Sequence, residues 1–342
     1  NYGAPSNAPM APSPAPPVSP ARHAPRPQAP VATGHRSGGH ARTQTGVVKG
    51  NMVDLAPEQA KGLVSTLAVD VWGVGLVLYA ALHNSRLFKG SSDFDTLTKI
   101  IAANLPTELA PSSMSPEDAA KLDGILRGAL LAQPEARPMM HTLAEALEAM
   151  LEDADAAKAA LAALVASAKG FDVDENVAKP TLDNERFELA GLLTHTGRCA
   201  LWLARDTQRD VDVLVKILHP HLASDADEVS HFIEVVSPSF DGTPTAVTTG
   251  WVEQDGSGAE RQPYAVLEYT EGVDLGQLLK SHGALDPQVA VYIAARVART
   301  LSDCHALILD GGAHGLLHGS IKPGHVLLAE DGSVAILDFG GG

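Results

Sequence analysis

Cysteine is nearly absent: the 342 residues include two, Cys199 and Cys304. Two cysteines cannot build a disulfide framework, and neither has the Cys-x-x-Cys spacing that binds metal, so a reducing, cytoplasmic setting is the default expectation. Aromatics are scarce at 4% against 45% apolar residues, which leaves Leu, Val and Ala to build the core. Basic charge is also short. With 25 Lys and Arg against 41 Asp and Glu, the net charge is −16. That argues against nucleic-acid partners and against an anionic membrane surface, both of which need a basic face. The longest near-continuous apolar run, "VDVWGVGLVLYAAL" at 69–82, falls short of the roughly 20 residues needed to cross a bilayer and reads as a buried helix. No charged start followed by an apolar stretch marks a signal peptide after Asn1.

What is present falls into four stretches. Residues 1–44 are rich in Pro and Ala, with ten prolines in the first thirty positions. Such a segment cannot bury enough apolar surface to offset its ordering entropy, and it is expected to be disordered or locally polyproline II. Residues 45–152 are helical: Pro57 and Glu58 suit a first turn, and Ser115-Pro116-Glu117-Asp118 is a helix-entry signal. An Ala/Leu/Glu-rich amphipathic stretch is predicted to run on from Thr142 to Gly170. The polar run at 170–185 closes a helical and polar linker, 153–185. From 186 to 342 the period changes to that of strands: "FELAGLLTHTGRCALWLARD", "DVDVLVKIL" and "YAVLEYT", then two helical segments, then "HVLLAE" and "VAILDF" about the turn "EDGS".

Five landmarks occur in order in the last stretch: a degenerate phosphate loop, Lys216 in "VLVKIL", the hinge-like "VLEYTEG", the loop "HGSIKPGHVLL" and "LDFG" at 337–340. Together they resemble the front part of a Ser/Thr protein kinase of the bacterial, eukaryotic-like type. Residues 46–151 resemble the back part of the same fold. "LAPEQA" matches its Ala-Pro-Glu motif at Ala56-Pro57-Glu58, "AVDVWGVGLVLYAAL" its central helix with Asp70, and "LLAQPEARP" its late helix with Arg137. The resemblance implies an α+β, protein-kinase-like bilobal fold, with its back half preceding its front half. Two explanations are open: a piece of a chain with two kinase-like domains in tandem, which the non-Met start and the stop after Asp-Phe-Gly favour, or a circular permutant. In either case the halves are expected to dock, with Asp70 at the backbone of His318 and Gly319. Glu58 and Arg137 are expected to form an ion pair.

The same resemblance assigns the site. A protein kinase works mainly by holding phosphates and metal ions and by placing an Asp at the acceptor hydroxyl. The three glycines of the family's phosphate loop fall on Thr194, Thr196 and Cys199, with Gly197 surviving between them, and side chains there hinder the close approach that Gly permits. Lys216 falls on the lysine that pairs with the nucleotide phosphates and with a helical glutamate, for which Glu234 is nearest in register and Glu228 the alternative. Glu268 and Tyr269 fall on the hinge that borders the nucleotide. In the catalytic loop the base position is held by Ser320, which is no base near neutral pH. The metal-binding Asn becomes His325, a poor ligand for Mg²⁺. Lys322 and the metal-binding Asp338 remain, while His318 is expected to brace the loop as a core histidine. His314 with His318, and His219 with His221, lack zinc spacing and are not expected to bind metal. The expectation is a catalytically impaired kinase that acts by binding a protein partner or substrate, with ATP and Mg²⁺ as possible cofactors. An active but atypical kinase is the alternative.

Overall fold

In the computed structural model, residues 52–168, 170, 173–236, 241–253, 261–307 and 315–339 are described. The Pro-rich segment 1–44, His314 and Gly340 lie outside them. The described residues all belong to one compact unit.

The helical stretch begins with a 3-10 turn at Met52–Asp54 and α1 (Pro57–Ala60), where Pro57 fills the first helical position. The apolar run follows as α2 (Ala68–His83), in which every residue from Val69 to Leu78 is buried. A helix apolar on all sides belongs inside a core, and this one ends where Asn84 takes the left-handed conformation at φ 47°. α3 (Asp93–Ala102) and α4 (Pro116–Ala129) start at Ser92 and Ser115, whose hydroxyls accept from the amides of Asp95 and Asp118. Caps of this kind are each worth about 1 kcal/mol.

The amphipathic stretch from Thr142 is not continuous. α5 (Met140–Glu148) stops, and Asp153 starts α6 (Ala154–Ser167) by accepting from the Ala156 amide at 2.9 Å. A capping carboxylate competes with helix continuation, and the acidic run "LEDAD" supplied it.

Five strands form an antiparallel sheet in the order β1 (Phe187–His195), β2 (Cys199–Asp206), β3 (Val211–Leu218), β5 (Pro263–Glu268) and β4 (Ala246–Trp251). Two helices, α7 (Pro220–Ala223) and α8 (Ala226–Val236), leave this sheet after β3. A small second sheet is made by β6 (Gly272–Asp274), β7 (Val326–Ala329) and β8 (Val334–Ile336). α9 (Leu275–His282) and α10 (Pro287–His305) lie between β6 and β7 in the chain. Neither β4 nor β6 was legible: β4 is only half buried throughout and shows no alternation, and β6 has three residues.

The fold is the expected bilobal, kinase-like α+β arrangement, one lobe around the five-stranded sheet and one around α2 and α10. A single core cluster joins the two sequence stretches, with Trp72, Leu122 and Leu147 from the first and Ile293, Leu301 and Val326 from the second. A second cluster covers the other face of the large sheet, with Trp202, Val215, Tyr264 and Leu182.

Leu182 belongs to the stretch expected to be a linker, and that stretch is a packed part of the fold. Ala157, Leu161 and Val165 of α6 are buried. Beyond α6, Asp174 exchanges both backbone hydrogen bonds with Leu192 on edge strand β1 at 2.9 and 3.0 Å, and the Asp183 amide donates to Trp251 O on the opposite edge strand at 3.0 Å. Gly191 makes the first crossing possible, since a Cβ there would lie 2.5 Å from Val173.

Candidate active site

The catalytic-loop region is anchored from the other half of the sequence. Asp70, fully buried on α2, accepts from the His318 amide at 2.9 Å, the Gly319 amide at 2.8 Å and His305 Nε2 at 2.9 Å. This is the expected contact, with His305 of α10 as a third donor that sequence reasoning did not find. Gly319 sits at φ 79°, a conformation free of penalty for glycine. The loop also rests on α2 through Gly73, where a Cβ would lie 2.7 Å from Ile321 Cβ. Gln59 of α1 donates to Gly319 O at 2.9 Å.

The expected ion pair is made as well. Arg137 holds Glu58 bidentately at 2.6 and 2.8 Å and donates to the carbonyls of Ala68 and Leu131, with its guanidinium over the Trp72 ring. Two buried charges with every hydrogen bond satisfied fix the end of this segment, because either one alone would be stranded away from water.

The loop itself is wired by neutral histidines. His318 Nε2 donates to Leu337 O at 2.8 Å, and His318 Nδ1 accepts from the Ser320 amide at 3.2 Å. That pattern assigns the neutral tautomer, consistent with burial holding His318 below the usual histidine range. His325 Nδ1 donates to Ser320 O at 2.8 Å, and burial pushes its pKa down to about 3. Its Nε2 then faces Asp338 Oδ2 at 3.7 Å. Ser320 is therefore held through its backbone by both rings.

Lys216 ends on Asp338. Its Nζ lies 2.9 Å from Asp338 Oδ1 and donates to Phe339 O at 3.0 Å. The side chains of the pair are 5% and 6% exposed. Burial opposes both charges, but each stabilises the other, so the lysine is held above and the carboxyl below its ordinary range. Neither oxygen of Asp338 has a hydrogen-bond partner of regular geometry among the described residues, and Asp338 takes the left-handed conformation at φ 66°. The expected glutamate partner does not reach this lysine. Glu234 is exposed on α8, and Glu228 pairs with Arg198. The register was one place off, and the α8 face turned inward is the apolar one, with Phe232, Val235 and Val236.

The phosphate loop is closed on itself. The Thr196 amide donates to Cys199 O at 2.8 Å, while the Cys199 amide donates to Thr196 Oγ1 at 3.0 Å, with the Arg198 amide at 3.4 Å from the same hydroxyl. His219 Nε2 donates to Thr196 O at 3.0 Å, so the "HPHL" segment serves this turn. Thr194 and Gly197 are exposed, and Cys199 is buried with its thiol pushed up to about 11. At the hinge-like segment Glu268 is exposed, 3.8 Å from Arg209, while Tyr269 is half-buried against Leu214, Leu327 and Leu337.

Lys322 stays partly exposed, and its charge reaches Asp54, a residue the sequence reading passed over. Burial raises the Asp54 pKa against the pull of Arg86 and Lys322. Its Oδ1 pairs with Arg86 and its Oδ2 has no partner among the described residues. No signal in a lone Asp ahead of "LAPEQA" marks such an environment.

The donor set does not fit a pair of Mg²⁺ ions. Magnesium takes near-octahedral oxygen ligands. Asp338 offers a carboxylate already facing Lys216, and its neighbour His325 offers a nitrogen. No cluster of three or more His, Cys, Asp or Glu that could hold a metal occurs among the described residues.

No protein-family model matches the chain. Its sequence is similar to bacterial kinases: 30% identical over 161 residues to the serine/threonine-protein kinase PknB of Mycolicibacterium smegmatis, covering 46% of this chain and 24% of that protein. A probable PknB of Bifidobacterium longum is 30% identical over 172 residues, 48% of this chain and 24% of the relative. A kinase of Corynebacterium efficiens, drp72, is 29% identical over 156 residues, 45% and 29% of the two chains. The chain thus spans about a quarter of the length of the curated relatives it matches. Among solved structures, the kinase domain of Mycobacterium tuberculosis PknI aligns at a TM-score of 0.36 and 19% identity, covering 48% of this chain and 62% of that one. The architecture and the anchored loop define a protein-kinase fold. Over somewhat less than half of its length, the chain is similar in sequence to bacterial Ser/Thr protein kinases.

Proposed function

We propose that this chain is a pseudokinase, a kinase-shaped module that regulates or scaffolds a protein partner with phosphotransfer weak or lost. The observation that carries the reading is the Lys216–Asp338 ion pair: the two charged groups that a kinase directs at phosphate and metal are spent on each other. Ser320 at the base position and the self-bonded loop at Thr196–Cys199 point the same way. Any residual ATP binding would rest on Lys216, Lys322 and Asp338. No helix among the described residues is long and apolar enough to cross a membrane, and the acidic balance disfavours nucleic acid as the partner.

The test is transfer of labelled phosphate from ATP to a generic protein substrate. No transfer above a Lys216→Ala control is expected, and transfer that this substitution abolishes would overturn the reading. A second reading, an active atypical kinase, is favoured by Asp54, a half-buried carboxylate within electrostatic reach of Lys322 that could stand in for the missing base. Under that reading Asp54→Asn abolishes transfer.

A further inference from the structure

Between Lys216 and the hinge-like Glu268–Tyr269, a kinase would lodge its nucleotide. Here Leu214 of β3, Leu327 of β7 and Leu337 beyond β8 form a buried cluster that joins the two sheets, with Leu193, Leu201, Leu267 and Tyr269 packed around it. Leu214, Leu327 and Leu337 are 2%, 2% and 8% exposed. The cavity left beside them, lined by Cys199, Leu201, Leu214, Lys216, Leu337 and Asp338 among others, measures about 50 Å³. Counted as space open to water-sized spheres, in which one water takes about 10–15 Å³, that is room for a few waters. Pockets that hold ligands of drug size run from about 300 to 1,000 Å³.

The polar ends of the cleft are occupied to match. Backbone amides at the tip of the β1–β2 turn, which would otherwise be free for a phosphate, donate to Thr196 Oγ1 and Cys199 O. At the far end the ammonium of Lys216 lies against Asp338, where a cation would have to sit.

Resting on the pseudokinase reading, we propose that the cleft is sealed from within, with Leu214, Leu327 and Leu337 filling the nucleotide slot and Lys216 serving Asp338 as its resident counter-ion. The interlobe seam is then structural. The two lobes are held together by side chains, and the arrangement a partner recognises does not depend on Mg²⁺ or nucleotide.

Thermal denaturation of the full chain, with Mg²⁺, with chelator, and with and without ATP, tests this. The expected result is one melting temperature in all conditions. A rise with Mg²⁺ alone would overturn the counter-ion assignment, and a rise with ATP would overturn the sealed slot. If ATP raises the melting temperature while labelled-phosphate transfer stays absent, the sealed cleft fails and the pseudokinase reading stands; if transfer occurs, that reading fails. Leu214→Ala and Leu327→Ala should each open the slot and gain binding of a fluorescent ATP analogue that the parent lacks. Circular dichroism identifies which of the two is folded, and no gain in a folded variant would overturn the role given to the leucines. Asp338→Asn should lower the melting temperature with or without Mg²⁺, and an unchanged melting temperature would overturn the resident pair.

Discussion

The anchor beneath the loop at His318–His325 and the opposite face of that loop are neighbours that relate differently to the kinase pattern. Below, Asp70, His318, Glu58 and Arg137 match the kinase pattern and make its contacts, each hydrogen-bonded and buried. Above, Ser320, His325 and the Thr196–Cys199 turn depart from the pattern, and each departure is compensated by a local bond. The difference separates two roles that coincide in a working kinase. The anchor joins the two sequence halves, while in a kinase the upper face serves chemistry, so the contacts of the first can be kept with different residues in the second.

If this division is right, the largest effects come from below. Arg137→Ala strands the Glu58 carboxylate in the core and is expected to lower stability by about 3–5 kcal/mol, read by chemical denaturation. A loss under 1 kcal/mol would place the burden elsewhere. Asp70→Asn keeps the shape but weakens acceptance from three donors, and about 2–3 kcal/mol should be lost at charge-assisted bonds. The double variant with His305→Ala should lose less than the sum of its parts, because both remove the same bond.

An intermediate effect comes from the buried histidine His325. His325 is held near pKa 3 in the fold by burial, below the ordinary value of 6.5. Its folded pKa is depressed, so the unfolded chain binds the proton first. The associated stability is therefore complete above pH 6.5 and is lost as pH falls toward 3. By pH 5 this amounts to about 2 kcal/mol, at about 1.4 kcal/mol per unit. Denaturation midpoints measured between pH 7 and 5 should fall, and His325→Asn should flatten the decline. The smallest effect belongs to Glu234→Ala. An exposed glutamate that misses Lys216 should matter by no more than about 0.5 kcal/mol, and a larger loss would restore the lysine–glutamate pairing of a working kinase.

How far this was legible in the sequence differs by residue. Lys216, Asp338 and the loop at His318–Gly319–Ser320 could be placed because motif spacing survives substitution. The helix at 69–82 could be read as buried because its composition leaves no polar face. The partner of Lys216 was misread, since on a helix one position turns a side chain by about a quarter of the circumference, from the sheet toward solvent. The stretch 153–185 was read as a tether because polarity marks loops. Its role at both edges of the large sheet depends on backbone bonds at Asp174 and on the amide and carboxylate of Asp183, whose partners Trp251 and Tyr264 lie far along the chain.

The sequence alone determined the kinase resemblance, the order of the motifs and the presence of Ser320 where that resemblance expects an Asp, because these depend on residue type at a given spacing. Only the tertiary structure decided that Lys216 answers Asp338 and that leucines from β3, β7 and the segment beyond β8 pack together. Those contacts bring β3 against residues more than a hundred positions later in the chain, and their geometry is set by how two lobes pack, which no local pattern records.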